Sequence, residues 1–283
     1  MQTQTISSDV TPKQLDRFAK LIYQRIGVSI SPQKITLLSN RLRRRLRQNG
    51  LTCYDKYYEF LSKAPPSDPE WEGFLQEVTT HETYLFRDQH HWDWLRDTFV
   101  PGLIASVREG AHPPRVRVWS AACSTGDEAV TVACCLADRL TPLSAWNVDI
   151  LGTDVGAGAV KQARQLNFGE RAMRLVPEGY QRRFFTPAPS GPGFVAKPVL
   201  QGLLRFEVHN LLEPLREAPF DLIILKNVLI YFDAESKKKV LGNVRRMLHP
   251  AGTIITGPAD GASEFLKDFR SSQGWLHRAT SPV

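Results

Sequence analysis

Ile35, Leu38, Leu42 and Leu46 fall on one narrow stripe when successive residues are turned by 100°. This spacing predicts an amphipathic helix that starts at Ser31-Pro32 and stops at Asn49-Gly50. Upstream, Thr11-Pro12-Lys13-Gln14 has the form of a capping box, with Thr at the N-cap, Pro at the first helical position and Gln at the third. A helix is expected from there to about Arg25, ended by Gly27. A third is expected over Tyr54 to Ser62. Ala64-Pro65-Pro66-Ser67-Asp68-Pro69 then reads as a rigid polar break and a linker, which closes a small helical unit.

Beyond this break the pattern changes. Arg115 to Trp119, Val148 to Thr153, Phe220 to Leu225 and Thr253 to Thr256 read as strands, with helical stretches between them over 127–140 and 156–165. Strands alternating with helices imply a parallel sheet with helices on both faces. Between 186 and 208 the alternation fails. Thr186-Pro187-Ala188-Pro189-Ser190-Gly191-Pro192-Gly193 is rich in turn residues, and a small β insertion is expected at about 186–206.

Composition narrows the class. With 42% apolar, 23% charged and 10% aromatic residues in 283, the chain fits a globular protein and excludes collagen-like, coiled-coil and disordered chains. No apolar run approaches the ~18 residues of a membrane span. The opening stretch, Met1 to Val10, lacks the Lys or Arg of a secretory signal. Cys53, Cys123, Cys134 and Cys135 are too few for a disulfide framework, and a reducing, cytoplasmic setting is expected. The charge of +7 is concentrated. Residues 1–50 hold ten Lys and Arg against two acids, a balance of +8, which leaves −1 for the remainder. Arg41, Arg43, Arg44, Arg45 and Arg47 crowd the polar side of the second helix with no nearby acid in the sequence, which points to an acidic partner.

Candidate chemistry begins where the first strand of the sheet runs into Ser120-Ala121-Ala122-Cys123-Ser124-Thr125-Gly126-Asp127-Glu128. Small residues there admit a ligand close to the backbone, and the helix that follows offers free N–H groups. The second strand ends at Gly152-Thr153-Asp154, where an open α/β sheet places a carboxylate for ribose hydroxyls. The loop has neither GxGxxG nor GxxxxGK[ST], which disfavours a dinucleotide and an ATP phosphate chain and leaves a nucleoside ligand. An ordinary strand–helix turn with an N-cap Asp accounts for the same residues. No His/Cys/Asp spacing points to a metal. His90 and His91 read as surface and packing residues beside Trp92 and Trp94, Cys134 and Cys135 as helix core, and Lys237-Lys238-Lys239 as a solvated face.

Val118 to Glu128 resembles the "WSAxCSTGEE" loop of the CheR family of S-adenosylmethionine-dependent chemotaxis receptor methyltransferases. Thr79-Thr80-His81-Glu82-Thr83-Tyr84-Leu85-Phe86-Arg87-Asp88 resembles its "TTNETxFFRD", Asn227 to Phe232 its "RNVxIYF", and Phe206 to Leu212 its strand ending in "NLL". The match runs in order from about residue 10 to 275 and includes the basic second helix. The resemblance implies a Rossmann-like class I methyltransferase domain with a small β insertion, at 76–283, preceded by a small all-α domain at 1–75. It implies that S-adenosylmethionine is used and S-adenosylhomocysteine released. It places Thr83 and Arg87 near the methionine end of the cofactor, Glu128 in the loop after strand one, and Asp154 on the ribose. Asn210, Leu211, Lys226 and Asn227 would frame the adenine and the back of the pocket. The β insertion would correspond to one that docks on a receptor tail in some members.

The chain departs from the family pattern at several places. His81 stands for Asn, at the pocket rim, where it is expected among the cofactor-binding residues; Leu85 stands for the first Phe; Asp127 and Ala129 stand in "GEEP"; Lys226 stands for Arg; and Gly257-Pro258-Ala259-Asp260 stands for "GHSE". Lys does not substitute for Arg as a bidentate donor. The expected reaction is methyl transfer to glutamate side chains of chemoreceptor-type proteins. A solvated Glu has pKa ~4.3 and needs no general base. Tyr231 is the expected positioner of the carboxylate, and Arg87 a second candidate catalytic residue or a ligand of the cofactor carboxylate. Arg41, Arg44 and Arg47 are the expected docking face for an acidic helical substrate. Neither nucleic-acid binding nor membrane insertion is expected, and the chain is expected to be a monomer. A non-catalytic cofactor-binding signalling module and an RNA methyltransferase are the alternatives. The absence of stacking aromatics near Arg41–Arg47 counts against RNA.

Overall fold

The computed structural model describes residues 9–189 and 191–279. Residues 1–8, which make up most of the polar opening stretch, Ser190 of the turn-rich segment, and residues 280–283 lie outside it.

The capping box forms. Thr11 Oγ1 accepts from the Gln14 N–H at 3.3 Å, and Gln14 Oε1 accepts from the Thr11 N–H at 2.9 Å. It starts α1 (Pro12–Ile26), which Gly27 ends at φ 72°, where its N–H reaches the Tyr23 carbonyl. A short 3₁₀ turn, Pro32–Lys34, leads into α2 (Ile35–Gln48), which buries Leu38, Leu42 and Leu46. Then follow α3 (Tyr54–Lys63) and α4 (Pro69–Val78). The expected linker is a turn rather than a boundary. Asp68 Oδ1 accepts from the Glu70 N–H at 2.8 Å, and Pro69 takes the first helical position, so the proline-rich run is a helix start. Trp71, Phe74, Leu75 and Val78 share one core with Phe18, Leu42 and Tyr57. The helical core therefore runs on to Val78, past the boundary expected at 75.

The remaining elements are α5 (Gln89–Trp94), a π-helical turn (Leu95–Phe99), α6 (Val100–Arg108), β1 (Arg115–Ala121), α7 (Asp127–Arg139), β2 (Asn147–Asp154), α8 (Ala157–Gln165), β3 (Asn167–Phe168), α9 (Glu170–Met173), α10 (Glu178–Phe184), β4 (Phe185–Pro187), β5 (Phe194–Ala196), α11 (Pro198–Gln201), β6 (Leu204–Val208), β7 (Phe220–Leu225), α12 (Ala234–Arg246), β8 (Leu248–Thr256), β9 (Phe269–Gln273) and β10 (Leu276–Ala279). The main sheet has seven strands in the order β6-β2-β1-β7-β8-β10-β9. The first five are parallel, as expected. The far edge is not, because β10 runs antiparallel to both β8 and β9. This hairpin escapes a reading of apolar runs because β9 buries only Phe269. Separate apolar cores cover the two faces of the sheet.

The insertion is larger than the sequence suggested and begins earlier. Strands β3, β5 and β4 form a separate sheet in that order, from Asn167 to Ala196. Leu204–Val208, assigned in part to the insertion, is instead the edge strand β6 of the main sheet. From β1 the chain builds outward through β2 to β6, then returns to the other side of β1 as β7. That reversal leaves a crevice at the carboxyl ends of β1 and β7, where an open sheet of this kind holds its ligand.

Candidate active site

The crevice is roofed. Residues after α1, the inner side of α2 and the segment 78–87 close over the carboxyl ends of β1, β2, β6 and β7, and leave an open cleft between them. Three contacts fasten the roof to the sheet. Gln76 Oε1 accepts from the Ala159 N–H at 2.9 Å at the start of α8, Asn210 Nδ2 donates to the Arg25 carbonyl at 2.9 Å, and the Ser29 N–H donates to the Tyr231 carbonyl at 2.8 Å.

At the floor, the Asp154 carboxylate accepts from the Ser124 N–H at 2.8 Å and the Gly156 N–H at 2.9 Å. These bonds aim the carboxylate and pin the β1–α7 loop. That loop contains two residues with left-handed backbone, Ala122 at φ 64° and Ser124 at φ 52°, and Asn227 opposite has φ 57°. Each such non-glycine residue costs on the order of 1 kcal/mol, a strain held by the surrounding bonds.

At the back, Lys226 is buried. Its Nζ lies 3.1 Å from Asp88 Oδ2, 3.7 Å from Glu128 Oε2 and 4.9 Å from the Trp92 ring centre. Ser120 Oγ donates to Glu128 Oε1 at 2.7 Å. Burial pushes the Glu128 carboxyl up, against the pull of Lys226 and Ser120. Burial acts the same way on Asp88, but the charge and hydrogen bond of Lys226 outweigh it and hold that carboxyl below its ordinary range.

The loop after β7 is organised by Asp260, which the sequence had marked only as a departure. Its fully buried carboxylate accepts from the backbone N–H groups of Asn227 and Gly257, both at 2.8 Å, and of Ile230 at 3.3 Å. It thereby shapes the turn that presents Tyr231. An acid at the end of Gly257-Pro258-Ala259-Asp260 was the signal in the sequence. Asp88 closes the Thr79–Asp88 motif, whereas Trp92, the other partner of Lys226, had no such signal.

His81, Thr83, Arg87, Glu128, Asp154, Asn210, Leu211, Lys226, Asn227 and Tyr231 all line this one cleft. Arg87 donates to the Glu82 carbonyl at 3.3 Å and lies 5.8 Å from the Tyr84 ring centre. The Asn210 amide is committed to Arg25 and to the Leu212 N–H, so only the remaining surface of the residue faces the ligand space. The arginine helix divides. Arg41 turns into the cleft, where it donates to the Val78 carbonyl and to Thr80 Oγ1. It does not belong to the outer face with Arg44 and Arg47. Nor is the helix free of acids: Arg43 pairs with Asp9, Arg44 with Glu77 and Arg45 with Glu70. Those acids come from α4 and from the segment before α1, which linear spacing does not reveal. Of the buried histidines, His91 is fully enclosed against Trp275, and burial first, then Lys226, pushes its ring down to about 3.

Residues 13–79 match the CheR methyltransferase all-alpha domain, and residues 81–275 match the CheR methyltransferase SAM binding domain. The chain belongs to the CheR methyltransferase family. The chemotaxis protein methyltransferase of Escherichia coli (strain K12) is 34% identical over 258 residues, which cover 89% of this chain and 86% of that protein. That of Borreliella burgdorferi is 26% identical over 259 residues, 90% of each. The probable biofilm formation methyltransferase WspC of Pseudomonas putida is 30% identical over 249 residues, 87% of this chain and 56% of that one. The chain is thus an S-adenosylmethionine-dependent methyltransferase with a Rossmann-like class I fold behind an all-α domain.

The residues present fit that cofactor. Asp154 has acceptor capacity left for ribose hydroxyls, and Ser124 Oγ and His81 Nδ1 are buried polar atoms at the same cleft without a partner among the described residues. Glu128 lines the cleft with a carboxyl that could meet an ammonium, and Arg87 with positive charge for a carboxylate. Val155 and Leu211 supply apolar wall for a base.

Proposed function

We propose that this protein methylates glutamate side chains of chemoreceptors, forming glutamate methyl esters. The observation that carries this reading is the chemistry of the cleft mouth. Tyr231 stands there with two cations beside it, Lys34 with Nζ 5.5 Å from the tyrosine ring centre and Arg41 across the cleft. A carboxylate is the acceptor that such a mouth attracts. No side chain has to remove a proton, because a solvated Glu is ionised at neutral pH, with pKa ~4.3. S-adenosylmethionine, when held in the cleft, would supply an electrophilic methyl on sulfur, which a substrate carboxylate lone pair would take to form a C–O bond while the C–S bond electrons return to sulfur.

The protein's own part is placement and exclusion of water. Asp154 and His81 hold the ribose, Glu128 and Arg87 the methionine end, and Leu211 and Asn227 the base and back wall. Lys226 holds the acidic back of the cleft together. The Tyr231 hydroxyl orients the incoming carboxylate without neutralising it, which preserves its nucleophilicity.

The substrate is read as an acidic helical segment of a receptor's cytoplasmic domain, met by the outer side of α2 at Arg44 and Arg47. The division into a docking helical domain and a catalytic domain, and action as a monomer, belong to the same reading. No helix among the described residues is long and apolar enough to cross a membrane. The RNA alternative is not favoured, because the relatives that the chain matches over most of its length are chemotaxis protein methyltransferases.

The test is transfer from methyl-labelled S-adenosylmethionine to a chemoreceptor cytoplasmic fragment, followed by alkali. A glutamate ester releases volatile labelled methanol. Label that stays on the protein, or no label at all, overturns the reading.

A further inference from the structure

His81 enters the cleft from the segment after α4, and its ring protonation can be read from its neighbours. Nε2 lies 2.8 Å from Thr79 Oγ1. The Thr79 hydroxyl already donates its single proton to the Leu75 carbonyl at 2.6 Å, so toward His81 it only accepts. Nε2 therefore carries the ring hydrogen, and Nδ1 is a bare lone pair. That Nδ1 is buried with no partner among the described residues, and it lies 3.8 Å from Asp154 Oδ1. Two acceptors face each other across a gap without a donor. A buried acceptor left in this state is unfavourable unless a ligand supplies the donor. Gly156 makes the arrangement possible, since a Cβ there would stand 2.6 Å from His81 Cε1.

We propose that the neutral His81 imidazole and the Asp154 carboxylate form a paired acceptor that accepts one hydrogen bond from each hydroxyl of a vicinal diol, and that a protonated imidazole closes on Asp154 and competes with that diol. The proposal rests on reading the cleft as the S-adenosylmethionine site, whose ribose supplies the diol. It makes cofactor retention dependent on pH through a residue that stands where the family pattern has Asn.

The charged groups facing the ring define the direction. Burial lowers its pKa most. Asp154 of β2 opposes this, Arg41 of α2 adds to it, and the Gln76 carbonyl of α4 opposes it; the ring titrates below its ordinary 6.5. It is neutral at neutral pH, and binding the diol releases a proton only at acid pH. Affinity therefore falls as pH drops through the ring's pKa in the free protein, approaching about tenfold per pH unit below it.

Two measurements test this on the whole chain. Nitrogen-15 chemical shifts of labelled histidine in the ligand-free protein at pH 8 should show His81 as the Nε2–H tautomer. Calorimetry with S-adenosylhomocysteine from pH 8 to pH 5 should show the acid loss of affinity in wild type and its absence in His81→Asn, whose amide does not titrate. Analogues lacking either ribose hydroxyl should bind wild type at least about tenfold more weakly. An Nδ1–H tautomer, or the same pH slope in both proteins, overturns the proposal. Failure of both proteins to bind S-adenosylhomocysteine even at pH 8 overturns the cofactor reading, and the proposal with it.

Discussion

Asp154 and Tyr231 both line the cleft, but they should fail in different ways. Asp154 sits on two backbone N–H groups and still has acceptor capacity facing the ligand space. Charge-assisted hydrogen bonds contribute about 1.5–3 kcal/mol. Asp154→Ala should therefore weaken S-adenosylhomocysteine binding at least about tenfold, measured by calorimetry; unchanged affinity removes the residue from the cofactor site. Tyr231→Phe keeps the ring that lies beside Lys34 and deletes one hydroxyl. It should lower kcat while the affinity for S-adenosylhomocysteine holds. A variant that loses cofactor affinity but keeps its rate at saturation would move Tyr231 into the cofactor pocket. Asp154 was legible because a carboxylate at the end of a second strand has a chemical purpose. Asp260 was not, because its value lies in three backbone N–H groups from two loops, and only folding brings those to one carboxylate.

Helix α2 shows how the same residue type divides by position within one element. Arg45 is partly buried against Glu70 of α4, which also accepts from the Tyr57 hydroxyl at 2.5 Å. Burial works to raise the Glu70 carboxyl, but the hydrogen bonds from Arg45 and Tyr57 outweigh it and hold the group below its ordinary 4.5. A carboxyl with a depressed folded-state pKa adds stability that is complete above the unfolded value and is lost as pH falls through the folded one. The α2–α4 contact should accordingly weaken below about pH 4.5, and Glu70→Ala should abolish that part of the acid sensitivity. At pH 7 the variant should be less stable by about 1–2 kcal/mol, since the partly buried Arg45 guanidinium and the buried Tyr57 hydroxyl lose their shared partner. Chemical unfolding at pH 7 and pH 4 measures both. Equal losses at the two pH values would mean that Glu70 is not what titrates.

For the whole molecule, the question is how a methyl-transfer cleft finds a protein substrate. Arg44 is paired with Glu77 yet half exposed, and Arg47 is exposed with no ion pair among the described residues. Reversing both to Glu leaves the buried leucine stripe and the cleft-lining Arg41 in place. KM for a receptor fragment should rise and its salt dependence should flatten, because the charges that steer an acidic partner are gone. Affinity for S-adenosylhomocysteine should hold. Methyl incorporation measured at two salt concentrations decides the matter, and unchanged KM would exclude the outer side of α2 as the docking surface.

The sequence by itself determined what is local. The capping box at Thr11, the leucine stripe of α2, the strands of the parallel sheet and the loop between Ser120 and Glu128 are set by contiguous residues, whose periodicity and side-chain chemistry can be read in order. It also carried long motifs that resemble one family. Tertiary structure decided what depends on partners distant in the chain. It assigned the proline-rich stretch to the start of α4, because the apolar face of that helix completes a core built by α1 to α3. It added the antiparallel β9–β10 hairpin, whose strand β9 has too few buried positions to announce itself. It neutralised three arginines with acids from elsewhere, turned a fourth into the cleft, and set a histidine lone pair against a carboxylate 3.8 Å away. Charge and hydrogen-bond capacity are written in the sequence, but whether they are spent inside the protein or left for a ligand depends on distances that only the fold creates.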